Sequence, residues 1–206
     1  MTDSKTPQVS DALAVFTHTG NAPVRFELHD KGVVRQQGDT RSYTAFADVQ
    51  DLCLFPAEAG ATAGPINQFA YRTRSTQDWT VVSGDVSNFA QFLDAFRSRY
   101  VAQRLPVLEA LMADGERVAF RTIKSGDFPG FDTQELALSA EGLHIDGATW
   151  PYESLQRIDL NDWTETITLQ DDNGKTVFSC VATRILSSDL LVNMVYDQLG
   201  QTAEYA

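Results

Sequence analysis

Few residues in this chain have the types and spacing that chemistry needs. Its three histidines, His18, His29 and His144, are scattered. An imidazole titrates near neutrality and suits proton transfer. No Gly-x-Ser-x-Gly elbow accompanies these histidines, and nothing marks an activated nucleophile. The two cysteines, Cys53 in "DLCLF" and Cys180 in "TVFSCVA", sit in apolar strand-like runs and read as buried free thiols. Two isolated cysteines without nearby histidines do not make a zinc site. "GATAG" at 60–64 lacks the lysine and following helix of a phosphate-binding loop. "DDNGK" fails the calcium-loop spacing, because the position five residues before Gly174 is Leu169. It reads instead as a hairpin turn, with Asn-Gly supplying the positive φ. The expectation is therefore a non-enzyme with no catalytic residue, metal or cofactor.

Acids are the more informative group. Between Asp146 and Asp172 there are seven (Asp146, Glu153, Asp159, Asp162, Glu165, Asp171 and Asp172) against one base, Arg157. A solvated strand face accounts for such a run. It also makes a recognition surface for a basic partner, with Trp163 as an aromatic anchor of the kind found at interface hot spots. The expected protein-binding residues are Asp159, Asp162, Trp163, Glu165, Asp171 and Asp172. The whole chain has 28 acids against 16 bases, a net charge of −12. That balance disfavours nucleic acid, whose binding rests on a basic footprint that releases counterions. Anionic membrane surfaces are disfavoured by the same sign, whereas a basic protein is steered toward the chain.

The leader "MTDSKTPQVSD" has no basic segment followed by an apolar one, and no run approaches a transmembrane span. A cytoplasmic location without stable membrane insertion is the expectation.

The elements that would position these residues are mostly strands. "VRFELHD" alternates Phe26 and Leu28 with polar neighbours. "DKG" at 30–32 reads as a turn using positive φ at Gly32, and "VVRQQ" as the return strand. "TRSYTAF", "DLCLF", "NQFAYRTR" and "DWTVVSG" read as further strands, with a long turn-rich loop at 56–65. Phe89, Phe92, Leu93, Phe96 and Tyr100 then recur at helical spacing, with Asp85 or Ser87 as the expected cap. Pro106 predicts a break near Arg104 and a second short helix from Pro106 to Gly115. Strands return at "RVAFRTIKS", "ELALSAEGLHIDG" and "TITLQDDNGKTVFSCVA", with "GDFPGFD" as a loop. "SSDLLVNMVYDQL" closes as a helix capped by Ser187 or Ser188, its stripe made by Leu190, Leu191, Met194, Val195 and Leu199.

This order is written twice. "TAFADVQDLCL" aligns without a gap on "WPYESLQRIDL", matching Phe46, Val49, Leu52 and Leu54 to Tyr152, Leu155, Ile158 and Leu160. "DKGVV" likewise aligns on "AEGLH", matching Gly32 to Gly142. The predicted units are 12–115, including a helical connector at 86–115, and 116–206.

The doubled Gly-hydrophobic hairpin, the aromatic phrase ahead of a strand and the closing amphipathic helix resemble the pleckstrin-homology-like superfamily and its bacterial PH and GRAM relatives. The connector "YVAQRLPVLEALMADGERVAF" resembles bacterial proteins of unknown function carrying two such units. The likeness spans about residues 23–199. It implies a mainly β, α+β fold of two antiparallel barrels, each closed by a C-terminal helix, and a binding role. Lipid-binding members cluster basic residues at the first hairpin. Here that hairpin carries only Arg25, Lys31 and Arg35 among acids, and its second copy carries no base. The leading expectation is a cytoplasmic protein-binding module. Its sharper form is an immunity-type protein occluding a basic toxin. The alternative is a lipid-binding or small-ligand-binding PH-like protein at a membrane surface.

Overall fold

Alternating apolar and polar residues lay down strands in the expected places, and in the same order twice. The computed structural model describes residues 12–18, 24–57, 64–76, 78–161 and 166–204, with only the backbone described at 156–161 and 201–204. In the first copy β1 (Ala14–Thr17), β2 (Val24–Leu28), β3 (Gly32–Gln37) and β4 (Thr40–Ala45) form one antiparallel sheet in that order. A 3-10 turn at Phe46–Asp48 leads to a second antiparallel sheet of β5 (Val49–Pro56), β6 (Ile66–Thr73) and β7 (Thr80–Ser83). Helix α1 (Phe89–Ala113) follows. The short apolar run that follows the leader forms β1.

The second copy repeats the plan. β8 (Val118–Ser125), β9 (Asp132–Ser139), β10 (Gly142–Ile145) and β11 (Ala148–Trp150) precede a 3-10 turn at Tyr152–Ser154. β12 (Leu155–Asn161), β13 (Thr166–Asp171) and β14 (Thr176–Val181) make the three-stranded sheet. A further turn at Ala182–Arg184 leads through β15 (Ile185–Leu186) into α2 (Ser188–Glu204). β15 pairs with β8 at the edge of the larger sheet. The described residues are thus mixed α+β, with antiparallel sheets and two α-helices. Strand pairing among the described residues forms four separate sheets and closes neither copy into a hydrogen-bonded barrel. No helix among the described residues is long and apolar enough to cross a membrane.

The repeated phrase marks the step from one sheet to the next. Phe46 and Val49 are fully buried, as are Leu52 and, nearly so, Leu54 on β5. In the second copy Tyr152 and Leu155 are buried, and the Tyr152 hydroxyl donates to the Ser139 carbonyl at 2.9 Å. An aromatic and an aliphatic three residues apart thereby pin the 3-10 turn to the core in each copy.

Three local expectations are corrected. Gly32 does not adopt positive φ. It is needed because a Cβ there would collide with the Thr44 carbonyl oxygen and the Tyr43 ring, where β3 meets β4. Its counterpart Gly142 has both constraints, a φ of 142° and the Trp150 carbonyl oxygen where a Cβ would stand. Neither helix is capped as expected. Asn88 (φ 53°) leads into α1 without a side-chain cap, while the Ser87 hydroxyl accepts from the Thr17 N–H at 3.1 Å. At α2, Ser187 (φ 61°) offers its carbonyl to the Leu190 N–H at 3.0 Å and turns its hydroxyl elsewhere. Finally, α1 does not break near Arg104: it runs through the exposed Pro106 to Ala113. Proline costs about 3 kcal/mol in a helix interior relative to alanine. Burial of Leu108 and Met112 beyond it recovers about 1.5–3 kcal/mol apiece.

The core is continuous across both copies. Phe92 lies 4.6 Å, centroid to centroid, from Phe16 and 5.3 Å from Phe26, while Phe96 lies about 5 Å from Phe46, Phe69 and Tyr71. Helix α1 thus plugs the space between the two sheets of its own copy. Leu190, Leu191, Met194 and Val195 of α2 are all buried in the same core. A smaller cluster spans the copies, joining Cys53 of β5 to Ile123 of β8 and Leu186 of β15.

Candidate functional site

The acidic stretch maps onto the sheet β12–β13–β14. Asp159 lies on β12 opposite Thr168, three ladder positions from the Leu155–Asp171 pair and so about 10 Å along the strand. Asp162, Trp163 and Glu165 fall outside the described residues. Asp171 is committed locally: its carboxylate accepts from the N–H groups of Asn173 at 3.0 Å and Lys175 at 2.8 Å. Gly174, at φ 75°, closes the turn by donating to the Asp171 carbonyl at 2.9 Å. "DDNG" is therefore the hairpin turn that was expected. Asp172 is exposed at its tip, and Asp146 and Glu153 are exposed as well. Of the six expected binding residues, the structure brings Asp171 and Asp172 together at one end of the hairpin.

The histidines are separate and each is engaged. His18 lies 3.7 Å from Asp85, and buried His29 lies 3.8 Å from buried Glu27. His144, on β10, meets the Ser139 hydroxyl through Nε2 at 2.7 Å and the Thr149 hydroxyl through Nδ1 at 3.0 Å. Burial, and then the nearby Arg117, lower its basicity, against a smaller opposing pull from Glu141. A catalytic triad sets a carboxylate behind the imidazole to fix its tautomer and stabilise the cation. Here a neutral hydroxyl stands in that place, so the contact pins β9, β10 and β11 together. Both cysteines are free thiols, Cys53 buried and Cys180 half-buried. Burial, with Asp51 second, pushes the Cys53 thiol up to about 12, which leaves it protonated and unreactive near neutrality.

Charged groups concentrate in two places that the acid count did not indicate. On the first sheet, fully buried Glu27 receives Arg41 Nη2 at 2.5 Å and lies 3.2 Å from Arg25 Nε. At the junction of the copies, buried Asp51 on β5 accepts from Arg72 Nε at 2.6 Å and lies 3.7 Å from Arg121 of β8. Arg72 in turn stacks over Trp79 at 4.7 Å. The Ser187 hydroxyl accepts from the Leu52 N–H at 3.1 Å and the Tyr100 hydroxyl at 2.7 Å, and its own proton faces the Gln50 carbonyl at 3.4 Å. Burial pushes Tyr100 well above the usual phenol range. Arg97 of α1 binds Asp189 of α2 through two bonds, of 2.8 and 2.6 Å.

Arg104 also belongs to this junction; the sequence expectation missed it by placing a helix break there, although a four-residue rhythm carries the signal. Phe92, Phe96, Tyr100, Arg104, Leu108 and Met112 recur every four residues and are all buried. Arg104 is the one charge on that apolar stripe, with Nη1 donating to the Ala47 carbonyl at 3.0 Å. A depression of about 740 Å³ lies where α1 ends against α2, over Met112 and Met194 with Glu109, Tyr196 and Asp197 beside them. A cleft of about 290 Å³ opens at the junction beside Arg104 and Ser187. Set against known protein families and curated proteins, the chain matches none.

Proposed function

We propose that this chain is a non-enzymatic protein-binding module. It is built from two pleckstrin-homology-like units, 12–115 and 116–206, each a β-barrel-like unit closed by its helix. The observation that carries this reading is the duplicated order of four consecutive antiparallel strands, a 3-10 turn, a three-stranded sheet and a helix, with β15 added to the larger sheet in the second copy. The partner is a basic protein, met by the acidic side of the second unit around Asp159 and the β13–β14 hairpin. In its sharper form the module is an immunity-type protein that covers a basic toxin in the cytoplasm. The exposed carboxylates of Asp146, Glu153 and Asp172 and the net charge of −12 support the sign of that partner.

Such a surface speeds encounter more than it tightens the final complex. Affinity capture with the tagged chain, followed by binding kinetics on what is captured, tests the reading. The expected result is a basic partner whose association rate falls steeply with salt, and falls further in a Glu153→Lys, Asp172→Lys variant. Capture of no protein, or of a partner whose association ignores both salt and charge reversal, would refute it.

A further inference from the structure

The junction cleft has an electrostatic character opposite to that of the rest of the chain. Arg104 is 4% exposed at its wall, and Arg74 and Arg117 are exposed at its rim. Among the described residues no carboxylate oxygen lies within 4.0 Å of any of these three guanidinium groups. Two acids line the cleft as well. Asp51 is already held by Arg72 and Arg121, and Glu116 is exposed at the rim. In a chain with 28 acids for 16 bases, three arginines without an ion pair around one cavity call for a cause.

Holding the Ala47 carbonyl is too small a cause for Arg104. A hydrogen bond from a charged donor to a neutral acceptor offsets only part of the cost of withdrawing a guanidinium from water. Burial, and then like-charge repulsion from Arg74, lower Arg104's basicity against smaller opposing pulls from Tyr100 and Asp48. Beyond its Nη1 bond to Ala47, the planar five-donor fork of Arg104 borders the cleft together with Arg74 and Arg117, an arrangement suited to two-point recognition of an oxyanion.

We propose that this cleft binds a small dianionic oxyanion, Arg104 holding it from the wall and Arg74 and Arg117 from the rim. The volume of about 290 Å³ admits a phosphomonoester or a short dicarboxylate and excludes a folded partner. The ligand bridges the copies, since Arg74 and Arg104 belong to the first and Arg117 to the second. This site is separate from the acidic hairpin surface, and each stands if the other fails.

The test uses the full chain with inorganic phosphate and with succinate, against sodium chloride at matched ionic strength. The expected result is saturable binding by calorimetry for at least one of the two dianions, accompanied by a shift of the Arg104 Nε–Hε NMR resonance. Phosphate alone would assign the phosphomonoester class, and succinate alone the dicarboxylate class. Arg74→Gln with Arg117→Gln is expected to weaken binding by roughly tenfold or more, since both rim hydrogen bonds to the dianion are charge-assisted. Because both positions are exposed, that variant should keep the native melting temperature, whereas Lys175→Gln at the distant hairpin should leave binding unchanged. No saturable binding of either dianion, or binding that survives removal of both rim arginines, would overturn the proposal.

Discussion

Replacing Ser187 by alanine should destabilise the protein far more than loss of one hydroxyl suggests. That oxygen accepts from two donors that have nowhere else to turn, the Leu52 N–H and the Tyr100 hydroxyl, both in residues at most 2% exposed. Leaving a buried donor unsatisfied costs about 1–3 kcal/mol, so Ser187→Ala is expected to cost about 2–5 kcal/mol. The left-handed backbone at φ 61° strains serine and alanine alike, so that contribution cancels. Ser187→Gly loses the same hydroxyl but relieves about 1–2 kcal/mol of that strain, and should be the milder change. Tyr100→Phe removes one of the two donors. Alone it should cost about 1 kcal/mol, but placed on Ser187→Ala it should cost nothing or restore stability, because the stranded hydroxyl goes with it. Urea unfolding of the wild type, both single variants and the double variant yields the cycle. The predicted coupling is about 1–2 kcal/mol. Additivity within about 0.5 kcal/mol, or a Ser187→Ala loss below about 1 kcal/mol, would refute the assignment of this hydroxyl as the junction's shared acceptor.

Other consequences are cheaper to check. Burial holds the Cys53 thiol and the Tyr71 and Tyr152 hydroxyls at about 12, above their ordinary values of 9.0 and 10.0. The unfolded chain releases these protons first. Stability from these groups is therefore complete below pH 9 and falls as pH rises toward 12, by at most about 1.4 kcal/mol per pH unit for each group. Urea midpoints measured from pH 8 to 11 should drop, and Cys53→Ala should flatten the drop, whereas constant midpoints would contradict the burial. Gly142→Ala should cost several times more than Gly147→Ala by thermal melting. Both have positive φ, but a Cβ at 142 meets the Trp150 carbonyl while a Cβ at 147 meets nothing. Pro106→Ala should raise stability by about 1–3 kcal/mol, since it restores a donor in the exposed middle of a continuous helix. A loss there would mean that the proline shapes α1.

What could be read from sequence was what neighbours decide. The strand around Phe26 and Leu28 and the turn at Asp171–Gly174 depend on a few adjacent residues and form as expected, although Glu27 between the two apolar residues is buried as fully as they are. The duplicated phrase was legible for the same reason, as a local pin for a 3-10 turn. What could not be read was set by distant partners. Gly32 looked like a turn glycine, but its constraint is the β4 backbone alongside. Ser187 looked like a cap, and its hydroxyl instead answers Leu52, 135 residues earlier. Of the acidic run, counting charges could not show that Asp171 is occupied by its own turn.

The corrected helix and the junction cleft are one fact seen from two sides. Had α1 ended near Arg104, as Pro106 predicts, that guanidinium would stand at a frayed terminus in water, and a charge there needs no explanation. Because the helix continues, the four-residue rhythm of Phe96, Tyr100, Arg104, Leu108 and Met112 carries Arg104 onto the buried face between two apolar turns. Substitution by a neutral residue of similar length, such as Arg104→Met, would suit that face better if packing were the only demand. Arg104→Met should therefore fold at least as stably as the wild type in sodium chloride, and should lose the added stability that a bound dianion confers.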